Sequence, residues 1–149
     1  MRLETLSENI LFQMIIAPIS GVGTTTQPAG AYIDVSDYEH FAFVALLGVT
    51  DRTTQTLQVV QATAAAGTGS KAVTGALIDG LAATDDGKLA IVQVDTENLD
   101  SAGGFRYVAV TPTFSGGTGD VGAVLFMAWG KKSLGAVVQG STVDQLVQV

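Results

Sequence analysis

The chain has 149 residues, a formal net charge of −7 and a pI near 4.3, which fits one domain and disfavours nucleic-acid binding through a basic patch. It contains no cysteine, so disulfides and thiolate metal sites are excluded. Charged residues make up only 14% of the chain and hydrophobic residues 47%, against about 25% charged in an average globular domain. Thr, Ser, Gln and Gly must therefore coat the surface, and such a surface is best tolerated where neighbouring molecules cover it.

Residues 1–9 read as a short N-terminal arm or a brief helical turn. They carry Leu3 and Leu6, but Glu4 and Glu8 oppose Arg2, so the basic start of a signal peptide is missing. The uncharged stretch that follows is broken by Gln13, Pro18, Gly21 and Gly23 and holds no apolar run of about 18 residues. The expectation is a soluble protein made in the cytoplasm, without a membrane partner.

Apolar residues alternate from Ile10 to Ala17, as in a strand. Pro18 to Gly30 has loop chemistry, with two prolines, three glycines and a threonine triplet. Further strands are expected at Ala31–Val35, His40–Leu47 and Thr54–Thr63, and a strand or helical turn at Ala72–Leu81. Asp86-Gly87 sits where a hairpin turn belongs, ahead of a strand at Leu89–Val94. The stretch Gly104–Gly130 reads as two apolar runs around a glycine-rich turn, which is a hairpin signal. In its return run Val121, Ala123, Leu125, Met127 and Trp129 point one way and Gly122, Val124, Phe126 and Ala128 the other. Neither face is polar. One face belongs to the core, and the other is expected under a second subunit.

About eight strand candidates, turn signals every 8–12 residues and no long helix predict an all-β, single-domain antiparallel β-sandwich over residues 10–132. Residues 133–149 read as a C-terminal strand and tail. This tail holds Val137, Val138, Leu146, Val147 and Val149, with Asp144 its one acid, an unfavourable composition for a free segment. The residues expected at an intermolecular interface are therefore Leu3, Leu6, Leu125, Met127, Trp129, Val137, Val138, Leu146, Val147 and Val149.

No catalytic motif emerges. Gly67-Thr68-Gly69-Ser70-Lys71 resembles a phosphate loop, but Ala72 stands where Ser or Thr should follow the lysine, and the context is β; a hairpin loop is expected. Asp37, Glu39 and His40 lie close together, yet His40 is the only histidine, whereas catalytic zinc takes three protein ligands. Asp95, Glu97 and Asp100 have part of a calcium-loop spacing without its central glycine and distal glutamate. No serine occupies a nucleophile elbow. Trp129 and Tyr107 are weighed as a sugar-stacking pair against a core role. The expectation is a non-enzyme with no cofactor and no metal.

Gln61-Ala62-Thr63 leading into Gly67–Lys71 and Ala72-Val73-Thr74-Gly75, then Leu99–Phe105 and Tyr107-Val108, resemble small structural proteins of tailed bacteriophages. The resemblance spans about His40 to Trp129. It implies a jelly-roll-like capsid decoration or cement protein, commonly a trimer, that binds the major capsid protein on the virion surface. A tail or head-completion protein and a carbohydrate-binding β-sandwich are the rival readings.

Overall fold

The computed structural model describes residues 6–19, 32–48, 54–115, 122–133, 137–139 and 143. One helical turn, α1 (Leu6–Asn9), precedes eight strands: β1 (Leu11–Ile19), β2 (Ile33–Asp34), β3 (Tyr38–Leu46), β4 (Thr54–Ala62), β5 (Lys71–Leu81), β6 (Leu89–Asp95), β7 (Tyr107–Ser115) and β8 (Gly122–Lys131). They form two antiparallel four-stranded sheets, β1-β8-β3-β6 and β2-β7-β4-β5. Strand pairs β1·β8, β2·β7, β3·β6 and β4·β5 fold the chain like one long ribbon, doubled at the β4–β5 hairpin and rolled into two layers. That is a jelly roll.

Two expected hairpins are corrected by this topology. β7 and β8 lie in different sheets, so the connection from Ser115 to Gly122 crosses between layers. The same holds for β5 and β6. Between them Ala83–Asp85 forms a 3-10 turn, and Asp86-Gly87 leads into the other sheet instead of closing a two-residue hairpin. Asp-Gly supplies a bend and a positive φ at Gly87 (74°), and both are as useful at a corner between sheets as in a hairpin. The β4–β5 connection is the true hairpin loop; Thr63 N–H donates to the Thr68 carbonyl across it at 3.0 Å.

The core lies between the layers. Phe41, Phe43 and Phe126 meet there with ring centroids 5.3–6.1 Å apart, and Leu57, Val59, Val108 and Val110 of the other sheet are buried in the same cluster. Tilted and edge-on aromatic contacts at this spacing add to area burial. β5 is interrupted near Gly75 and Gly80, both at φ 78°, with register shifts against β4. The Gln58 amide fills the first gap, donating from Nε2 to the carbonyls of Val59, Val73 and Ala76 at 2.9, 3.3 and 3.0 Å.

The C-terminal segment is not a detached tail where it is described. Val137 is buried in the core cluster, and its N–H donates to the Glu8 carbonyl at 3.2 Å. Val137, one of the residues expected at an interface, is thus covered by its own chain. Residues 137–139 carry no strand.

Candidate assembly surface

The parity of β8 decides which apolar row is core. Phe41 opposes Ala128, Phe43 opposes Phe126 and Ala45 opposes Val124, and all six are buried. Leu125, Met127 and Trp129 therefore face outward, half-buried, on the side away from the other sheet. The registers on either side extend this outer row. Met14 of β1 opposes Leu125. Val44 of β3 lies between Leu125 and Ile91, and Leu46 between Ala123 and Leu89.

This outer face is apolar at its centre and toward the Leu46 end. Met14 is 42% exposed, Leu46 46%, Ile91 56% and Leu89 60%. No Asp, Glu, Lys or Arg interrupts it among these positions. The outer face of the second sheet is different: Thr56 opposes Thr113 and Gln58 opposes Thr111, an uncharged but wettable pattern. Leu77 of β5, 48% exposed and opposite Gln58, is the apolar exception there, so this face is mixed where the first is continuously apolar.

Charge returns at the far end of the apolar face. His40 stands between Trp129 and Asp95 on neighbouring strands. Its Nδ1 is 2.7 Å from Asp95 Oδ1, its Nε2 is 3.9 Å from Glu39 Oε2, and its ring centroid is 5.7 Å from that of Trp129. Gly130, at φ 70°, allows Glu39 to lie against the backbone, since a Cβ there would come within 2.9 Å of Glu39 Cβ. Glu39, His40, Asp95, Thr96, Glu97 and Lys132 line a concavity of about 280 Å³. Thr96 Oγ1 donates to the carbonyls of Tyr38 and Glu39, and accepts from Lys132 Nζ at 3.3 Å. Burial raises the Tyr38 phenol above its ordinary pKa, and the Asp37 charge adds to this.

Other sequence candidates are dispersed. Asp37 accepts from the Ser133 hydroxyl at 2.8 Å and does not join the His40 pair. Asp100 pairs with Lys71 at 2.6 Å, whereas Asp95 faces His40, so the calcium-like trio does not converge. Lys71, the lysine of the phosphate-loop resemblance, is held by that ion pair and lies 4.1 Å from the Phe105 ring centroid. Tyr107 sits on β7, in the other sheet from Trp129, and is taken by Arg106, whose Nη2 donates to its hydroxyl at 3.0 Å. Among the described residues no group of three or more His, Asp or Glu side chains is placed to hold a metal ion. Nor is any described helix long and apolar enough to cross a membrane.

No protein-family model and no curated protein matches the chain. A solved structure does: the fold is similar to that of the PBSX exported protein XepA, with a TM-score of 0.56 at 15% identity. The likeness covers 99% of this chain and 46% of XepA, so the chain spans about half the length of that protein. At this identity the likeness shows the fold, an all-β sandwich.

Of the residues expected at an interface, Leu125, Met127 and Trp129 lie on the outer apolar face, and Val138 is 85% exposed. Leu6 lies in α1. Leu3, Leu146, Val147 and Val149 lie outside the described residues. Met14, Leu46, Leu89 and Ile91 share this face without having been expected there. The signal was present: His40–Leu47 and Leu89–Val94 also carry apolar residues on both faces, as Val121–Trp129 does.

Proposed function

We propose that this chain is a structural protein of a bacteriophage virion that assembles as a homo-oligomer through the outer face of the β1-β8-β3-β6 sheet and stabilises the capsid by binding its surface. The observation that carries this reading is the charge-free apolar face around Leu125, Leu46, Leu89 and Ile91. Contiguous apolar surface of this kind is rare on soluble monomers, and obligate interfaces are of this character, often burying about 2,000 Å² or more. The resemblance of the Gln61–Gly75 and Leu99–Val108 stretches to phage head proteins supports the virion setting. The fold is shared with the PBSX exported protein XepA.

Mechanistically, a protein that binds only the assembled lattice stabilises it by mass action, and an oligomer does so at several points at once. The resemblance implies three subunits and the major capsid protein as the lattice partner.

Light scattering at low micromolar concentration tests the assembly. Wild type is expected as a single oligomer and Leu125→Lys as a folded species with fewer subunits and an unchanged far-UV circular dichroism spectrum. A monodisperse wild-type monomer overturns the assembly. Cosedimentation with empty capsid shells of the phage that encodes the chain tests the capsid role; failure to bind shells, with binding to tail structures or to glycans, overturns it.

A further inference from the structure

The two sheets have four edge strands, β1, β6, β2 and β5. An edge strand presents unpaired N–H and C=O groups, and proteins that must stay apart blunt such edges with bulges, prolines, short length or a covering segment. Three of the four are blunted. β1 contains Pro18, shifts register after Met14 and again after Ile16, and is covered at its start by Gln139, which bonds the backbone of Ile10 and Phe12. β2 has two residues. β5 is broken by Gly75 and Gly80 and shifts register against β4.

β6 has no such device among the described residues. It pairs with β3 in unbroken register from His40↔Asp95 to Leu46↔Leu89, and its sequence LAIVQVD contains no Pro, Gly or Lys. Its backbone orientation follows from the corner of the sheet. Leu47 N–H donates to the Lys88 carbonyl and its own carbonyl accepts from Gly87 N–H, so Leu47 turns its backbone groups toward β6. By alternation Ala45, Phe43 and Phe41 do likewise and engage Ala90, Val92 and Val94. Leu46 points its carbonyl oxygen the other way, toward Gly122 of β8. Leu89, Ile91, Gln93 and Asp95 are left with their N–H and C=O groups pointing off the sheet. Of these, Leu89 and Ile91 also continue the apolar outer face with their side chains.

We propose that β6 is the strand by which two copies of this chain join: their Leu89–Asp95 edges pair antiparallel about a two-fold axis, and two four-stranded sheets become one continuous sheet. The occupant is a second copy because, among the described residues, no other edge is left open to receive β6, and like edges pair in an isologous contact. The outer apolar faces then run on across the axis from Leu46, Leu89 and Ile91 of one copy to those of the other. A pair centred between Leu89 and Gln93 keeps Asp95 away from its own equivalent, so like charges are not opposed. This rests on the reading that copies associate, and it specifies a dimer, or an even number built from dimers, where the resemblance implies three.

The test combines light scattering with amide hydrogen exchange. Wild type is expected at an even subunit number, with the amides of Leu89, Ile91 and Gln93 exchanging at least about tenfold more slowly than in Ile91→Lys, a charged-edge variant expected to be monomeric. Ile91→Pro removes one outward N–H, a change a solvent-facing edge tolerates, and is expected to be monomeric with a retained β spectrum; if it does not fold, the lysine variant alone decides. An oligomer whose β6 amides exchange as fast as in Ile91→Lys, or one of three subunits, overturns edge pairing while leaving association intact. Protection of those amides only on addition of capsid shells makes the occupant a capsid strand and overturns self-pairing. A wild-type monomer overturns both readings.

Discussion

Gln139 stands beside Phe12 as a substitute for a missing strand: its Oε1 accepts from the Phe12 N–H at 3.0 Å, while its Nε2 donates to the Ile10 carbonyl at 2.8 Å. A single side-chain amide thus presents one acceptor and one donor to the edge of β1, as a paired backbone would. With Val137 inserted in the core next to it, this ties the C-terminal segment to the N-terminal strand.

Gln139→Ala is accordingly expected to lower stability by about 1–3 kcal/mol, since two part-buried backbone groups lose their partner. Urea unfolding at fixed protein concentration measures this. A change below about 0.5 kcal/mol would show that water replaces the amide without loss.

Gly122 has φ 73°, and a Cβ there would fall 2.0 Å from the Leu46 carbonyl oxygen. Gly122→Ala combines a left-handed backbone with a backbone collision that no side-chain rotation relieves. A loss of roughly 2 kcal/mol or more is expected in denaturant titrations. Gly87→Ala, at φ 74° but with no atom within 4 Å of the added carbon, should cost less. Equal losses at the two sites would refute the collision.

Phe126 and Met127 are neighbours with opposite roles. Phe126 is fully buried among Phe41 and Phe43, and Phe126→Ala should cost about 3–5 kcal/mol. Met127 points outward, and Met127→Ala should leave the fold nearly unchanged but weaken association, read as a higher dissociation constant in dilution series. Reversal of the two effects would invert the assignment of the faces.

The Lys71 ion pair, assisted by the Gly103 N–H, holds the Asp100 carboxyl below the ordinary aspartate range. A depressed carboxyl pKa stabilises the fold fully above the unfolded value, about 3.9, and this contribution is lost as pH falls through the lower folded value. Melting temperatures of wild type and Asp100→Asn should therefore differ most near neutral pH and converge below about pH 4. A difference that is constant down to pH 2 would show that the carboxylate charge contributes nothing.

Local pattern was enough to place most strands, although Ala72–Leu81 stayed open between strand and helical turn. Period-2 alternation and turn residues act over a few neighbours, and the segments at Thr54–Ala62 and Leu89–Asp95 were legible to within a residue or so. It also determined that β8 is apolar on both sides and that no motif for nucleophilic or metal chemistry is present. Which strands pair is a matter of long-range packing. The residues after Ser115 and at Asp86-Gly87 have the chemistry of hairpin turns, yet both connections cross between sheets, because a bend and a positive φ serve either path. Likewise, period 2 separates Phe126 from Met127 but does not say which is inside. That depends on Phe43 lying opposite Phe126, a contact between residues far apart in the chain. The open edge of β6 becomes visible only when all four edges are compared, since protection of an edge is a property of what lies beside it and not of its own sequence.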